Sequence, residues 1–111
     1  MSDAAAELVR LQALCPAAEL WTEGGKPVPF LPGLSFQTPG GRQTRDALLW
    51  PWPRDGYLTR LFVSEVITAP EAKNWNPFNI QGRTWFACSW QGVVDSLPWI
   101  EILANHLRAF R

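Results

Sequence analysis

The stretch from residue 76 to residue 93, "NPFNIQGRTWFACSWQGV", places one thiol, Cys88, in the middle of an aromatic segment. Residues 84–90, "TWFACSW", predict a short strand or extended segment. If that strand runs without interruption, alternation puts Cys88 on one face with Phe86 and Trp90, which indicates a core position. Free cysteine is also among the most buried residue types. The residues therefore leave two interpretations open: Cys88 is a nucleophile, or it is a small apolar residue packed between aromatic rings.

The residues before this strand predict a long irregular connection. The segment "TAPEAKNWNPFNIQGR", residues 68–83, is rich in Pro and Asn, and such residues favour turns and loops. Long ordered loops often carry function. Farther upstream, residues 56–67 give the strongest strand pattern in the chain, and residues 18–53 read as short strands separated by Gly and Pro turns. Prolines 27, 29 and 32 predict an edge strand or an irregular crossing there.

A helix is predicted at each end of the chain. Residues 4–14 are amphipathic, with Asp3 or Ser2 as the N-cap. Residues 95–111 carry apolar side chains at helical spacing, with Asp95 and Ser96 as cap candidates. The predicted order of elements is helix, antiparallel strands, loop, short strand and helix. This order indicates a single α+β domain over residues 1–111.

Composition excludes several classes of function. The chain has 111 residues, and its ten basic and ten acidic side chains cancel, so no net field attracts nucleic acid or an anionic membrane. The apolar runs are too short to span a bilayer and the N-terminus carries no signal-peptide pattern, which predicts a cytoplasmic protein. One histidine and two separated cysteines provide no metal site and no disulfide framework, and no cofactor motif occurs.

The order of elements, together with "NPFNIQGRTWFAC", resembles the ubiquitin-conjugating enzyme (UBC) superfamily, and most closely its small bacterial members from antiphage ubiquitin-like conjugation operons. The resemblance rests on Asn79 nine residues before Cys88, on Gly-Arg before the cysteine, and on a loose Trp and Pro match in "SWQGVVDSLPW". It implies a UBC-like fold with an N-terminal helix, an antiparallel meander, a long loop with the cysteine and a C-terminal helix. A bend after Ala87 would then expose the thiol.

The resemblance also implies an activity. Cys88 would accept a ubiquitin-like modifier as a thioester from an activating enzyme and pass it to an amine on a target protein. Asn79 would donate a hydrogen bond to the oxyanion, and Asp95 would orient or deprotonate the incoming lysine. The implied partners are the modifier, the activating enzyme and the target, without any cofactor. The activating enzyme would dock on the first helix, where Arg10 and Gln12 face out.

Two other functions stay open. The loop histidine of the family has no counterpart in this chain, which favours an inactive UBC-like protein that binds the modifier or scaffolds a complex. The seven tryptophans are compatible with a β-domain that stacks sugars or peptides on exposed indoles, although indoles also build the cores of small domains.

Overall fold

A six-stranded antiparallel sheet makes up most of the computed structural model, which describes residues 3–70 and 72–111. The strands are β1 (Glu19–Glu23), β2 (Lys26–Thr38), β3 (Gly41–Trp50), β4 (Arg60–Val63), β5 (Asn76–Ile80) and β6 (Arg83–Ala87). They lie in the order β1-β2-β3-β4-β6-β5. Two helices of nine residues each, α1 (Ala4–Gln12) and α2 (Trp99–Leu107), flank the sheet, and a short 3-10 helix (Arg108–Phe110) follows α2.

The α+β, UBC-like fold expected from the sequence is wrong, because the chain is built mainly from this sheet and has only two short helices among its described residues. The second half of the segment predicted to be irregular forms strand β5, which pairs with β6 along its whole length. Gln81 and Gly82 close the hairpin with φ angles of 52° and 74°, the left-handed conformation that a two-residue hairpin turn requires. The cysteine therefore follows a hairpin strand, not a long loop.

The prolines of β2 predict an edge strand or an irregular crossing. The edge strand is wrong, because β2 lies between β1 and β3. Pro27 and Pro29 fall where β2 pairs with β1, and the pairing with β3 starts at Phe30. Alternate residues of a strand direct their N–H groups to the same side, so the two prolines remove donors on one side only. A bulge at Gly33 (φ 66°) then keeps Leu31 and Leu34 on the same face of the sheet.

The sheet has an apolar core on each face. The first core lies between the sheet and the helices and includes Leu11, Leu31, Leu49, Val63, Ile102 and Leu103. The second core lies on the other face and consists of Val28, Leu48, Trp50, Phe62, Ile80, Trp85 and Ala87. The sheet curls around this second core, since the Gln81 amide donates to the Thr22 carbonyl at 2.9 Å and thereby joins the β5–β6 turn to β1.

Helix α1 begins as predicted from the sequence. Asp3 is its N-cap and its carboxylate accepts a hydrogen bond from the Ala5 N–H at 3.1 Å. The alternative cap, Ser2, lies outside the described residues. In residues 3–70 and 72–111, no helix combines the length and the apolar character needed to cross a membrane.

Helix α2 begins later than predicted, and its cap comes from another element. Its N-cap is Pro98, which makes no side-chain cap, whereas Asp95 and Ser96 lie ahead of the helix. The buried Glu7 carboxylate of α1 accepts a hydrogen bond from the Trp99 N–H at 2.5 Å. A negative charge at a helix N-terminus satisfies a free donor and interacts favourably with the dipole, so α1 both packs against α2 and fixes where it starts.

Candidate functional site around Cys88

Cys88 is the first residue after strand β6, and its side chain is half-buried. Its neighbour Ser89 still follows the ladder, since the Ser89 N–H donates to the Lys73 carbonyl at 2.9 Å. The Cys88 side chain packs against the first core together with Phe86 and Trp90. Cys88 thus lies on the same side as Phe86 and Trp90, although β6 ends at Ala87 and the strand does not run on as that prediction assumed.

The two thiols differ in access to solvent. Cys15 is 3% exposed, and its sulfur donates to the Pro32 carbonyl at 3.2 Å. Burial is the main cause that raises the pKa of both Cys15 and Cys88. At Cys88, the backbone N–H of the same residue and the charge of Arg60 act in the opposite direction. Both side chains are thus protonated thiols at neutral pH, and Cys88 is the more exposed of the two residues.

The sheet register does not bring Asn79 to the thiol. Asn79 is an exposed residue of β5 that pairs with Thr84, four residues before Cys88. At about 3.3 Å per strand residue, this separation is roughly 13 Å. Asn76 lies at the end of the hairpin that is closer to Cys88, where it pairs with Ala87. Its side-chain amide, however, donates to the Asn74 carbonyl at 3.1 Å, a local contact of the kind that asparagine makes in turns.

Asp95 lies on the segment that connects β6 to α2, where it is exposed. Within residues 3–70 and 72–111, its carboxylate makes no hydrogen bond or ion pair, so nothing fixes it relative to the thiol. The connecting segment itself is anchored at two points. The Trp90 indole donates to the Asn105 carbonyl at 3.1 Å, and the Thr59 hydroxyl donates to the Val93 carbonyl at 2.8 Å.

Sequence reasoning missed a group of four polar side chains on the second face of the sheet, which we call the arginine cluster: Arg54, Asp55, Tyr57 and Arg60. The Arg60 guanidinium donates to the Cys88 carbonyl at 3.4 Å and lies over the Tyr57 ring at 4.0 Å. The Tyr57 hydroxyl in turn hydrogen-bonds to the Ser89 hydroxyl at 3.1 Å. One sequence signal was available, since Arg60 precedes Phe62 by two residues and therefore shares its inward face.

The single histidine, His106, lies on α2. His106 is buried, and its Nε2 lies 2.9 Å from the Thr59 hydroxyl. Because the one hydroxyl proton of Thr59 is donated to Val93, the imidazole Nε2–H must be the donor to Thr59. Burial, assisted by the charge of Arg60, lowers the pKa of His106 to about 4. The ring is neutral at pH 7 and joins α2 to the segment before β4.

The tryptophans do not form an exposed binding surface. All seven lie within the described residues; Trp50, Trp85 and Trp99 are buried and the other four are half-buried. The half-buried Trp21 stacks on Phe30 with ring centroids 4.4 Å apart. The indoles therefore mainly build the two cores.

Clusters of metal ligands do not occur in the part of the chain that the structure describes, where no three His, Cys, Asp or Glu side chains are grouped to bind an ion. The chain matches no protein-family model, no curated protein and no solved structure.

Proposed function

We propose that this protein is a carrier that accepts a ubiquitin-like modifier from an activating enzyme as a thioester on Cys88 and transfers it to an amine on a target protein. The observation that carries the proposal is the contrast between the two thiols: Cys15 is 3% exposed, whereas the Cys88 side chain, just after β6, is only half-buried. The Gly-Arg pair ahead of Cys88, one of the features on which the sequence resemblance rests, supports the same chemistry.

Both steps are acyl transfers that need no cofactor in this chain. In the first, the Cys88 sulfur loses its proton and attacks the carbonyl of the incoming thioester, and the departing thiolate of the activating enzyme takes up a proton. In the second, the amine attacks the new thioester, loses a proton, and the Cys88 sulfur leaves as a thiolate that is reprotonated. Exchange of one thioester for another is nearly balanced in energy, and the thiolate is the attacking species.

A conjugation assay tests the proposal directly. The protein is mixed with an activating enzyme, a modifier and ATP, and the products are separated on a non-reducing gel. We expect an adduct that a reductant removes, that is lost in Cys88→Ala and that persists in the matched control Cys15→Ala. An adduct that survives in Cys88→Ala contradicts the proposal.

A second assay needs no partner protein. A short peptide aryl thioester ending in Gly-Gly should acylate Cys88 by the same exchange, and intact mass spectrometry measures the product. We expect one acyl group on the wild-type protein and on Cys15→Ala, and none on Cys88→Ala. Acylation of Cys15 at an equal rate in the folded protein would show that exposure does not distinguish the two thiols.

A modifier-binding protein without transfer activity is a second candidate, favoured by two observations. The register holds Asn79 roughly 13 Å from Cys88, and burial raises the pKa of the Cys88 thiol. For such a protein, Cys88→Ala binds the modifier as tightly as the wild type does, and no reductant-sensitive adduct appears with either. Binding measured by calorimetry alongside the gel separates the two candidates.

A further inference from the structure

Arg60 is a buried cation whose charge is only loosely paired. Its side chain is 5% exposed, yet its ion pair with Asp55 spans 3.7 Å and its hydrogen bond to the Cys88 carbonyl spans 3.4 Å. A guanidinium has five N–H donors. Burial of this group is unfavourable unless its donors form hydrogen bonds and its charge is paired with an opposite charge. The Tyr57 ring at 4.0 Å supplies a cation–π contact but accepts no conventional hydrogen bond on its face.

Arg54 brings a second positive charge to the same place. Its guanidinium lies over the Trp50 ring at 4.5 Å, and its Nε donates to Asp55 at 3.2 Å. Both arginines also lie over the same two rings, Phe62 and Phe78, at 5.0 to 5.9 Å. The two guanidiniums thus lie over the same aromatic surface.

One carboxylate serves both cations. The same oxygen of Asp55 contacts Arg54 and Arg60, and the Asp55 side chain is 48% exposed, so its charge is partly screened by water. Burial lowers the pKa of Arg60, and the charge of Arg54 acts in the same direction. Among the described residues, two guanidiniums therefore share a single, half-exposed counter-ion.

We propose that the arginine cluster is a binding site for a small oxyanion, namely a carboxylate or a phosphate group. Such a group enters from the exposed side where Asp55 lies, and its oxygens accept hydrogen bonds from the donors of Arg54 and Arg60 that Asp55 leaves free. Charge-assisted bonds of this kind are short and about twice as strong as neutral ones. The Phe62 and Phe78 rings exclude water from one side of the site, and this strengthens the hydrogen bonds further.

The site does not depend on thioester chemistry at Cys88, because that residue contributes its backbone carbonyl and not its sulfur. The Cys88→Ala variant therefore binds the anion as the wild type does, whether or not the protein is a carrier. A failure of the carrier proposal and a failure of this one are thus observed separately.

Nuclear magnetic resonance titration at constant ionic strength tests the site. Inorganic phosphate and acetate are added in separate titrations with chloride as the balancing ion, so that general screening is the same throughout. We expect saturable shifts of the side-chain Nε–H signals of Arg54 and Arg60 and of the backbone signals of residues 54–60 and 88–89. The tighter of the two anions identifies a phosphate or a carboxylate as the preferred source of the oxyanion.

Variants of exposed or half-exposed residues avoid the risk that loss of the buried Arg60 unfolds the protein. Arg54→Gln removes one cation and should weaken binding by at least about tenfold. Asp55→Asn removes the competing carboxylate and should strengthen it. Arg83→Gln is the matched control: the Arg83 guanidinium also lies over an indole, that of Trp85, at 4.6 Å, but it has a carboxylate at 2.6 Å, and its loss should leave binding unchanged.

Three results overturn the proposal. The signals of Arg54 and Arg60 can fail to shift saturably when phosphate or acetate replaces chloride, which shows that the cluster has no selective oxyanion site. Asp55→Asn can fail to strengthen binding, which shows that the carboxylate does not compete with the anion. Finally, Arg83→Gln can weaken binding as much as Arg54→Gln does, which shows that net charge alone matters.

Discussion

Acidification should destabilise this protein through its one histidine. The pKa of His106 is about 4 in the folded chain, whereas an unfolded histidine has a pKa of about 6.5. Between these values the unfolded chain binds a proton that the folded chain does not. The histidine contribution to stability is therefore fully present above about pH 6.5 and is lost as the pH falls towards 4.

The size of the effect follows from that difference in pKa. The full loss between the two pKa values is roughly 3 kcal/mol, and about 2 kcal/mol of it is already lost at pH 5. For a domain whose stability lies between about 5 and 15 kcal/mol, this is a large fraction. A loss of 2 kcal/mol in a chain of this length corresponds to a fall in Tm of roughly 10 °C.

Urea unfolding followed by circular dichroism at a series of pH values measures this loss. The matched variant is His106→Gln, whose amide can still donate to the Thr59 hydroxyl but does not titrate. We expect the wild-type free energy of unfolding to fall between pH 6.5 and 4 and that of the variant to stay nearly flat. The Arg83 side chain lowers the pKa of Asp46 from its usual 3.8. The contribution of this ion pair to the free energy of unfolding is therefore lost only below pH 4, outside the range in which His106 acts. A wild-type curve that is flat above pH 5, or equal slopes in both proteins, would show that the buried His106 does not cause the loss of stability.

Two further predictions concern packing and capping. Glu7→Ala leaves the buried Trp99 N–H without an acceptor and should cost about 1–3 kcal/mol of unfolding free energy by urea denaturation, whereas the exposed Glu65→Ala should change it little; equal effects would show that Glu7 does not cap α2. Phe62→Ala opens a cavity in the second core, where Phe62 is 0% exposed, and should cost about 3–5 kcal/mol. Leu58→Ala, at a side chain 49% exposed, should stay within about 0.5 kcal/mol in the same assay, and a similar cost for both would contradict the assignment of the core.

The sequence predicted the elements whose signals are local. Asp3 caps α1 because its short carboxylate reaches the next turn. Gly24 and Gly25 close the β1–β2 hairpin, and Pro39 and Gly40 close the β2–β3 hairpin. The start of α2 could not be read in the same way. Its cap is Glu7, which is ninety-two residues away in the sequence, and no local pattern identifies such a partner.

Strand β5 was missed because two of its five residues are asparagine and one is proline, which favour turns. Its inward residues, Phe78 and Ile80, nevertheless alternate correctly and pack with the second core. Pro77 is tolerated because β5 is an edge strand with β6 on one side only. Tertiary packing thus overrides residue preference where a hairpin completes a core.

The pairing of the strands determines which residues lie near Cys88. An irregular loop can fold Asn79 back over a cysteine nine residues later, but a ladder that runs from Asn76 opposite Ala87 to Ile80 opposite Arg83 holds Asn79 at the far end of the hairpin. On its other side, β6 pairs with β4 through Phe86 and Val63. This pairing places the arginine cluster beside the backbone of Cys88 and Ser89. The groups that this pairing brings near Cys88 thus contact its backbone carbonyl and not its thiol, because the Cys88 side chain packs with the first core on the other face of the sheet.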